Sequence, residues 1–502
     1  MIFAVRTMMS KQILSCSATV SHMLMPEPTP STPTEPVSIP QPVRSYPPMP
    51  LWWRGAILVG VLACTGFAYL LGGTAGPKSQ AAFGIVAFLG IVAMFSKNLR
   101  AVNWKTFAWG IALQFTLALL VTKVAFVRKG FEWVGEGIKV LIACSDKGAE
   151  FVFGDLAKVN GPVTEPFGAA LGGPGVITAG ERQLGANKFI FAFKALPPII
   201  FVSAFFSVLY YFGVLQFLVR IFAKVMMYFL GTSGAETLSV SANVFMGQTE
   251  APLIVKPFVP RMTESELLTL MASGMAHISG GMMAVYISYG ADPASILCTC
   301  VMACPASLYL SKLLLPELAN PVTSGDATIK VEQTAVNPID AAASGVKDGL
   351  FLALNVAAML IGFIAFIALF DAIIGKIWQG MSLNILFGHA FSPVAYLMGV
   401  PIEETNTVGQ LLGTKLAANE HVAYLNLKEM QAGANPLSER SKKLAVYALT
   451  GFANFASIGI QLGGIGAMAP ERRKDLAKLG LRALFVGFLV TLVNAAIAGL
   501  LM

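Results

Sequence analysis

A chain of 502 residues with only 12% of them charged cannot cover a surface that faces water, because a soluble protein of this size carries about a quarter of its residues charged. The hydrophobic share of 55% and a mean hydropathy of +0.69 point instead to helices immersed in lipid. The net charge of +8 does not indicate a nucleic-acid partner: Lys97, Arg100 and Lys105, or Arg472, Arg473, Lys474 and Lys478, form short clusters between apolar blocks, as cytoplasmic loops do under the positive-inside rule.

Residues 1–50 hold ten of the 28 prolines, interleaved with Ser, Thr and Glu, a composition that cannot bury enough apolar surface to order itself. This is the pattern of an extended or disordered tail. Arg6 and Lys11 interrupt the first apolar run, so it makes a poor signal peptide. Apolar blocks of spanning length follow at about 52–73, 80–96, 104–127, 195–215, 266–290, 294–315, 349–370, 445–467 and 479–501. The basic loops at 97–105 and 470–478 place the N-terminus in the cytoplasm, although Arg440, Lys442 and Lys443 then fall on the outer side. Arg220 and Lys224 share one face of 214–230, which suits a helix lying in the interface with its charges snorkelling.

Two segments are apolar but too broken to cross. In 232–259, Gly247-Gln248-Thr249-Glu250-Ala251-Pro252 separates Leu238–Met246 from Leu253–Val259. In 402–428, Gly413-Thr414-Lys415 and Asn419-Glu420 separate Val408–Leu412 from Val422–Leu425. Two half-helices joined by a polar tip predict a re-entrant hairpin, tolerated at membrane depth only where the tip is buried in protein or lines a cavity. Each hairpin precedes a span interrupted by small and polar residues: Ser273-Gly274 and His277 to Gly281 in the first, Gly451-Phe452-Ala453-Asn454 and then Ser457 in the second. Paired interruptions in two halves are the sequence sign of a transporter whose site lies near the midplane.

The expected architecture is an all-α polytopic membrane protein of about nine transmembrane helices, two re-entrant hairpins and interfacial helices, with an inverted repeat in the transport domain. The chain divides into a Pro-rich tail (1–50) and an extra N-terminal transmembrane helix (51–79). Scaffold and interfacial helices with a connecting loop follow (80–231). Then come a first hairpin and broken-helix repeat (232–315), a polar loop and scaffold helix (316–380), and a second hairpin and broken-helix repeat (381–502).

Glu250 and Glu420 are carboxylates at membrane depth, where a charge is costly and therefore functional by default. Gln248 and Thr249 flank the first and Asn419 the second, while Asn454 and Ser457 share a helix face. Such a set suits a neutral ligand rich in hydroxyls and ring amides, since a carboxylate accepts from two adjacent ribose hydroxyls and an amide reads a base edge. Interhelical polar packing accounts for Ser457 equally well. Cys298, Cys300 and Cys304 lie in an apolar segment with no His near them in the chain, which reads as thiols packing a helix rather than a metal site.

The sequence resembles the concentrative nucleoside transporter family over nearly all of residues 80–502. The resemblance is carried by Ala195-Leu196-Pro197-Pro198, Gly247-Gln248-Thr249-Glu250-Ala251-Pro252, Asn419-Glu420-His421-Val422-Ala423-Tyr424 and Gly451-Phe452-Ala453-Asn454-Phe455. It implies a homotrimer in a plasma membrane (the bacterial inner membrane), each protomer having a scaffold and a moving transport domain. It also implies that Gln248, Thr249, Glu250 and Met282 contact the base, that Glu420, Asn454 and Ser457 hold the ribose, and that Phe452 lines the pocket. For the coupling ion it implies a Na+ site at Asn243, Met246, His277 and Ile278. His277 stands where the family usually has a Ser or Thr hydroxyl. An imidazolium there would repel sodium, and the ring could carry a proton instead. Retention of Asn243 favours Na+ over H+.

A membrane-embedded enzyme acting on a nucleotide or lipid-linked substrate would need a base beside a nucleophile or metal. Neither His277, with no Cys or acidic cluster beside it in the chain, nor His421 next to Glu420 supplies that. A passive nucleoside channel is the other alternative. The residues do not indicate a purine or pyrimidine preference.

Overall fold

A computed structural model of the chain describes residues 40, 42–157, 191–194, 196–324, 335–433 and 435–502. The Pro-rich tail through position 39, residues 158–190 of the segment expected to hold the connecting loop, Ala195 and residues 325–334 of the segment expected to begin with a polar loop lie outside the described residues. All regular structure among the described residues is helical. The longer helices are α1 (Leu51–Met94), α2 (Trp104–Lys123), α3 (Ala125–Phe153), α4 (Leu196–Tyr211), α5 (Val214–Leu230), α6 (Gly234–Ala242), α7 (Glu264–Ala276) and α8 (Gly280–Ser288). They continue with α9 (Pro293–Leu314), α10 (Pro338–Ile377), α11 (Leu383–Leu397), α12 (Thr405–Ala417), α13 (Glu420–Ala432), α14 (Glu439–Leu449), α15 (Phe455–Met468) and α16 (Arg473–Leu501).

Among the described residues seven helical stretches are long and apolar enough to cross a membrane, or eight if the bent pair α4 and α5 counts as one span. α1 supplies two of them, divided at Gly76, whose φ of 75° precedes Pro77 and breaks the helix. α4 and α5 meet at 75° across Gly213, which adopts a positive φ, and Arg220 and Lys224 stay exposed on α5. The block expected at 445–467 is two shorter helices, α14 and α15, neither of which could span alone.

Two helices escaped the search for apolar runs. α3 is amphipathic, with Arg128, Lys129, Glu132, Glu136 and Lys139 interrupting any continuous apolar stretch, so only its helical periodicity marks it. α11 is short and carries His389 and Pro393 inside. The interruption expected at Gly413-Thr414-Lys415 is also not a break: α12 runs through it, and the chain turns only at Ala418 and Asn419. Gly413 serves close packing instead, its Cα facing the Phe387 side chain of α11.

α7, α8 and α9 form the centre. Every residue from Ser265 to Ala276, from Gly280 to Ile287 and from Ser295 to Leu314 is buried. Helices apolar on all sides belong in such a position. Polar side chains pin them: Tyr309 donates to Gln114 (2.7 Å), Gln114 to Asn494 (2.6 Å), and Asn494 to the Thr299 carbonyl (3.1 Å), joining α2, α9 and α16. At the periphery α10 exposes Leu354, Ile361, Phe366 and Leu369, an apolar face suited to lipid or another helix. Its other face meets α4 through Gly345 and Gly349, where a Cβ would come within 2.6 Å of Ala204 Cα and 2.7 Å of Ile200 Cα. Small residues four apart permit that approach.

Two arginines tie helix ends together. Arg440 donates to the carbonyls of Gly399 (3.0 Å) and Gly499 (2.6 Å), near the ends of α11 and α16. Its charge is thus engaged by the negative ends of two helices, so it is not a free loop charge of the kind the positive-inside rule counts. Arg472, 2% exposed, donates to the carbonyls of Pro260 (2.9 Å) and Met262 (2.6 Å) and to Asp475 (2.8 Å).

Candidate functional site

Each interruption is shaped by a capping residue. Ser279 accepts from Met282 N and starts α8, Asn419 accepts from Val422 N and starts α13, and Asn454 accepts from Ser457 N and starts α15. Between α6 and Pro252 the chain turns through Asn243–Glu250, then continues as a 3-10 helix over Ala251–Arg261 with Pro at its start. The positive ends of half-helices are thereby brought inside the protein, where they favour electron-rich ligand groups.

The interruptions touch one another. Gly280 N donates to Phe245 O (3.2 Å), joining the first hairpin to the first broken helix. Phe452 N donates to His277 O (3.1 Å), joining the two broken helices. The crossing requires Gly451: its φ of 144° is one that side chains disfavour, and a Cβ there would lie 3.0 Å from Ala276 O.

Around this crossing most of the expected ribose and base residues form one hydrogen-bonded cluster. Glu420 accepts from Tyr286 OH at Oε1 and from Asn454 Nδ2 at Oε2, both at 2.9 Å. Gln248 Nε2 donates to Ser457 Oγ (3.3 Å), and Gln461 Nε2 donates to Gln248 Oε1 (3.2 Å) and to Met271 O (2.9 Å). Glu420, Asn454, Ser457 and Gln248 are 4%, 3%, 1% and 7% exposed, so the cluster is closed to solvent. A carboxylate with about four lone-pair positions and two donors bound keeps about two acceptor positions for vicinal hydroxyls.

The other expected residues lie around this cluster. Glu250 turns back to accept from Gly247 N, closing its own turn. Thr249 packs on Gly464 of α15, where a Cβ would come within 3.0 Å of its methyl. Met282 is buried in the first turn of α8, and Phe452 is half-buried at the crossing.

At the expected ion position, Asn243 caps the end of α6, is fully buried, and donates through Nδ2 to Ser273 Oγ (3.0 Å). Its Oδ1 has no hydrogen-bond partner among the described residues, and a buried acceptor in that state is suited to a cation. Ile278 is fully buried and Met246 half-buried beside it. His277 Nδ1 lies 2.8 Å from Ser273 O, so this nitrogen carries the proton, and Nε2 faces Cys304 Sγ at 3.6 Å. His277 and Cys304, distant in the chain, therefore stand side by side in the fold. α9 brings Cys304 in from another helix, a proximity that chain spacing does not report.

The sequence gives Tyr286 and Gln461 no distinction from ordinary helix residues, and it marks Cys304 only as a thiol packing a helix. Only the spacing of Gln461 from Ser457, one turn on the same face, was available as a signal. In the sequence Lys415 stands only as part of a polar interruption.

The chain is similar to known proteins. Residues 83–156 and 295–499 match the N-terminal and C-terminal families described as Na+ dependent nucleoside transporter, and 192–293 match the family described as nucleoside recognition. Mouse sodium/nucleoside cotransporter 1 is 38% identical over 444 residues, which are 85% of this chain and 64% of that protein. The chain thus spans less than two thirds of that relative's length. The pig protein of the same name is 36% identical over 92% of this chain and 70% of its own, and an uncharacterized transporter of Haemophilus influenzae is 38% identical over 83% and 96%. The structure of CNTnw in an inward-facing, substrate-bound state superposes with a TM-score of 0.74 at 38% identity, covering 84% of this chain and 97% of that one. A CNTnw variant in an outward-facing state gives 0.75 at 37%, covering 85% and 97%. This multi-pass membrane protein belongs to the concentrative nucleoside transporter family, a family of transporters rather than enzymes.

Proposed function

We propose that the protein imports nucleosides by alternating access, coupled to the entry of a cation. The observation that carries the reading is Glu420, a buried carboxylate held between Tyr286 and Asn454 at the start of a half-helix, with the Ser457–Gln248–Gln461 chain in the same enclosure. Glu420, Asn454 and Ser457 take the ribose, while Gln248, Thr249, Glu250 and Met282 face the base and Phe452 lines the pocket. The relatives named as sodium/nucleoside cotransporters, and the inward-facing and outward-facing states of CNTnw, support both the substrate class and the alternation.

Sodium is the coupling ion in this reading, held by Asn243 and backbone oxygens near Met246, His277 and Ile278. The orphaned Asn243 Oδ1 supports sodium over a proton. A homotrimer in a bacterial inner membrane with a cytoplasmic N-terminus completes the reading. In it the two hairpin repeats form the transport domain, and the helices over 80–231 together with α10 form the scaffold. Uptake of labelled uridine into sealed proteoliposomes, with sodium and pH gradients imposed separately, tests it. Accumulation above the external concentration is expected with inward sodium alone. Accumulation driven only by external acid would make the proton the coupling ion, and equilibration without accumulation would make the protein a channel.

A further inference from the structure

Lys415 is fully buried in α12, in the first half of the second hairpin. Its Nζ donates to Ala448 O at 2.7 Å and to Thr491 Oγ1 at 3.0 Å. The Thr491 hydroxyl gives its own proton to Phe488 O (2.8 Å), so Lys415 is the donor in both bonds. The Phe488 ring lies 5.4 Å from Nζ. Both hydrogen-bond acceptors are neutral oxygens, and the carboxylate that acts on the ammonium through space is that of Glu420 in the candidate site. Burial of a charge in this way is costly and calls for a role.

The repeat supplies one. In the first repeat Asn243, at the end of the first hairpin helix, reaches Ser273 in the last turn of α7, just before the break at His277. In the second repeat Lys415, near the end of the corresponding hairpin helix, reaches Ala448 in the last turn of α14, just before the break at Thr450. Both positions lie at the carbonyl end of a helix that stops inside the protein, where a positive charge is favoured. The first offers an unpartnered amide oxygen and no side-chain cation, and the second already contains one.

We propose that Lys415 is a tethered cation: its ammonium occupies in the second repeat the place that the mobile coupling ion takes in the first. This rests on the ion-coupled reading above. The second broken helix thereby carries its own cation, and Asn454 and Glu420 beyond it are set for ligand without a second ion. One cation then accompanies each nucleoside. Removal of the ammonium would leave Ala448 O and Thr491 Oγ1, hard oxygen donors suited to a small monovalent cation.

The test compares wild type with Lys415→Thr and Lys415→Arg in proteoliposomes, sodium being varied at constant ionic strength against choline. Uridine uptake by wild type and Lys415→Arg is expected to follow sodium with a Hill slope of about one. Lys415→Thr should fail at sodium concentrations that saturate wild type and recover at higher sodium, with a slope approaching about two. An unchanged sodium curve in Lys415→Thr, or loss of uridine binding at every sodium concentration in a variant that elutes and melts like wild type, would overturn the proposal. The ratio of labelled sodium to uridine taken up by wild type is a separate check needing no variant: one is expected, and two would overturn it. Absence of sodium-driven uridine uptake by wild type would instead count against the transport reading itself.

Discussion

The backbone N–H of Phe452 donates to the carbonyl oxygen of His277 across 3.1 Å, so the two broken helices are joined at their breaks by a main-chain bond. The contact leaves no room for a side chain at Gly451, whose φ of 144° also disfavours one. Gly451→Ala should therefore destabilise the protein by roughly 1–3 kcal/mol. A lowered unfolding midpoint in detergent, with uptake falling in parallel, is the expected outcome. An unchanged midpoint would show that the crossing relaxes at no cost.

Glu420→Gln keeps the size of the side chain but replaces an acceptor oxygen with a donor facing Tyr286 OH or Asn454 Nδ2. Uridine uptake should fall at least about tenfold, a loss of about 1.4 kcal/mol or more. Elution as a folded species should be retained. Tyr286→Phe removes one donor and should cost about threefold, within the usual range for a single hydrogen bond. Isothermal titration with uridine separates these losses in binding from losses in turnover.

Gln461 donates to both Gln248 and the Met271 carbonyl, fixing which end of the Gln248 amide faces the site. Gln461→Leu should weaken nucleoside affinity by about 1 kcal/mol, seen as a raised KM with little change in maximal rate. Equal KM values for variant and wild type would remove Gln461 from the site.

Asn243→Ala deletes the orphaned acceptor near the first break. The sodium concentration giving half-maximal uptake should rise about tenfold, roughly 1.4 kcal/mol of lost cation binding. His277→Ser, by supplying a hydroxyl in place of the imidazole, should lower that concentration. Sodium titrations of uptake at a fixed uridine concentration read both. A sodium curve unmoved by either change would place the ion elsewhere.

The polar tips were visible in the chain because membrane depth makes any polar cluster conspicuous. Gln248, Glu420, Asn454 and Ser457 could be picked out one by one, and a chain of bonds running Tyr286–Glu420–Asn454–Ser457–Gln248–Gln461 joins them. Their partners were hidden for the opposite reason. Tyr286 lies in an apolar run and Gln461 on a glycine-rich helix, where one polar atom does not disturb the hydrophobic pattern. Cys304 meets His277 from a helix 27 positions away in the chain, a relationship fixed by packing alone. The helix boundaries show the same limit: α3 was obscured by its charges, and Lys415 suggested a break because a lysine in an apolar run looks like an interruption until its acceptors are seen.

Arg472 bears on how the molecule can move. By holding the carbonyls of Pro260 and Met262 at the exit of the first hairpin while bonding Asp475 of α16, it rivets that hairpin to the final helix. A hairpin fastened in this way is expected to travel with the final helix rather than flap like a lid, and cutting the rivet should loosen the gate before it weakens the grip on ligand.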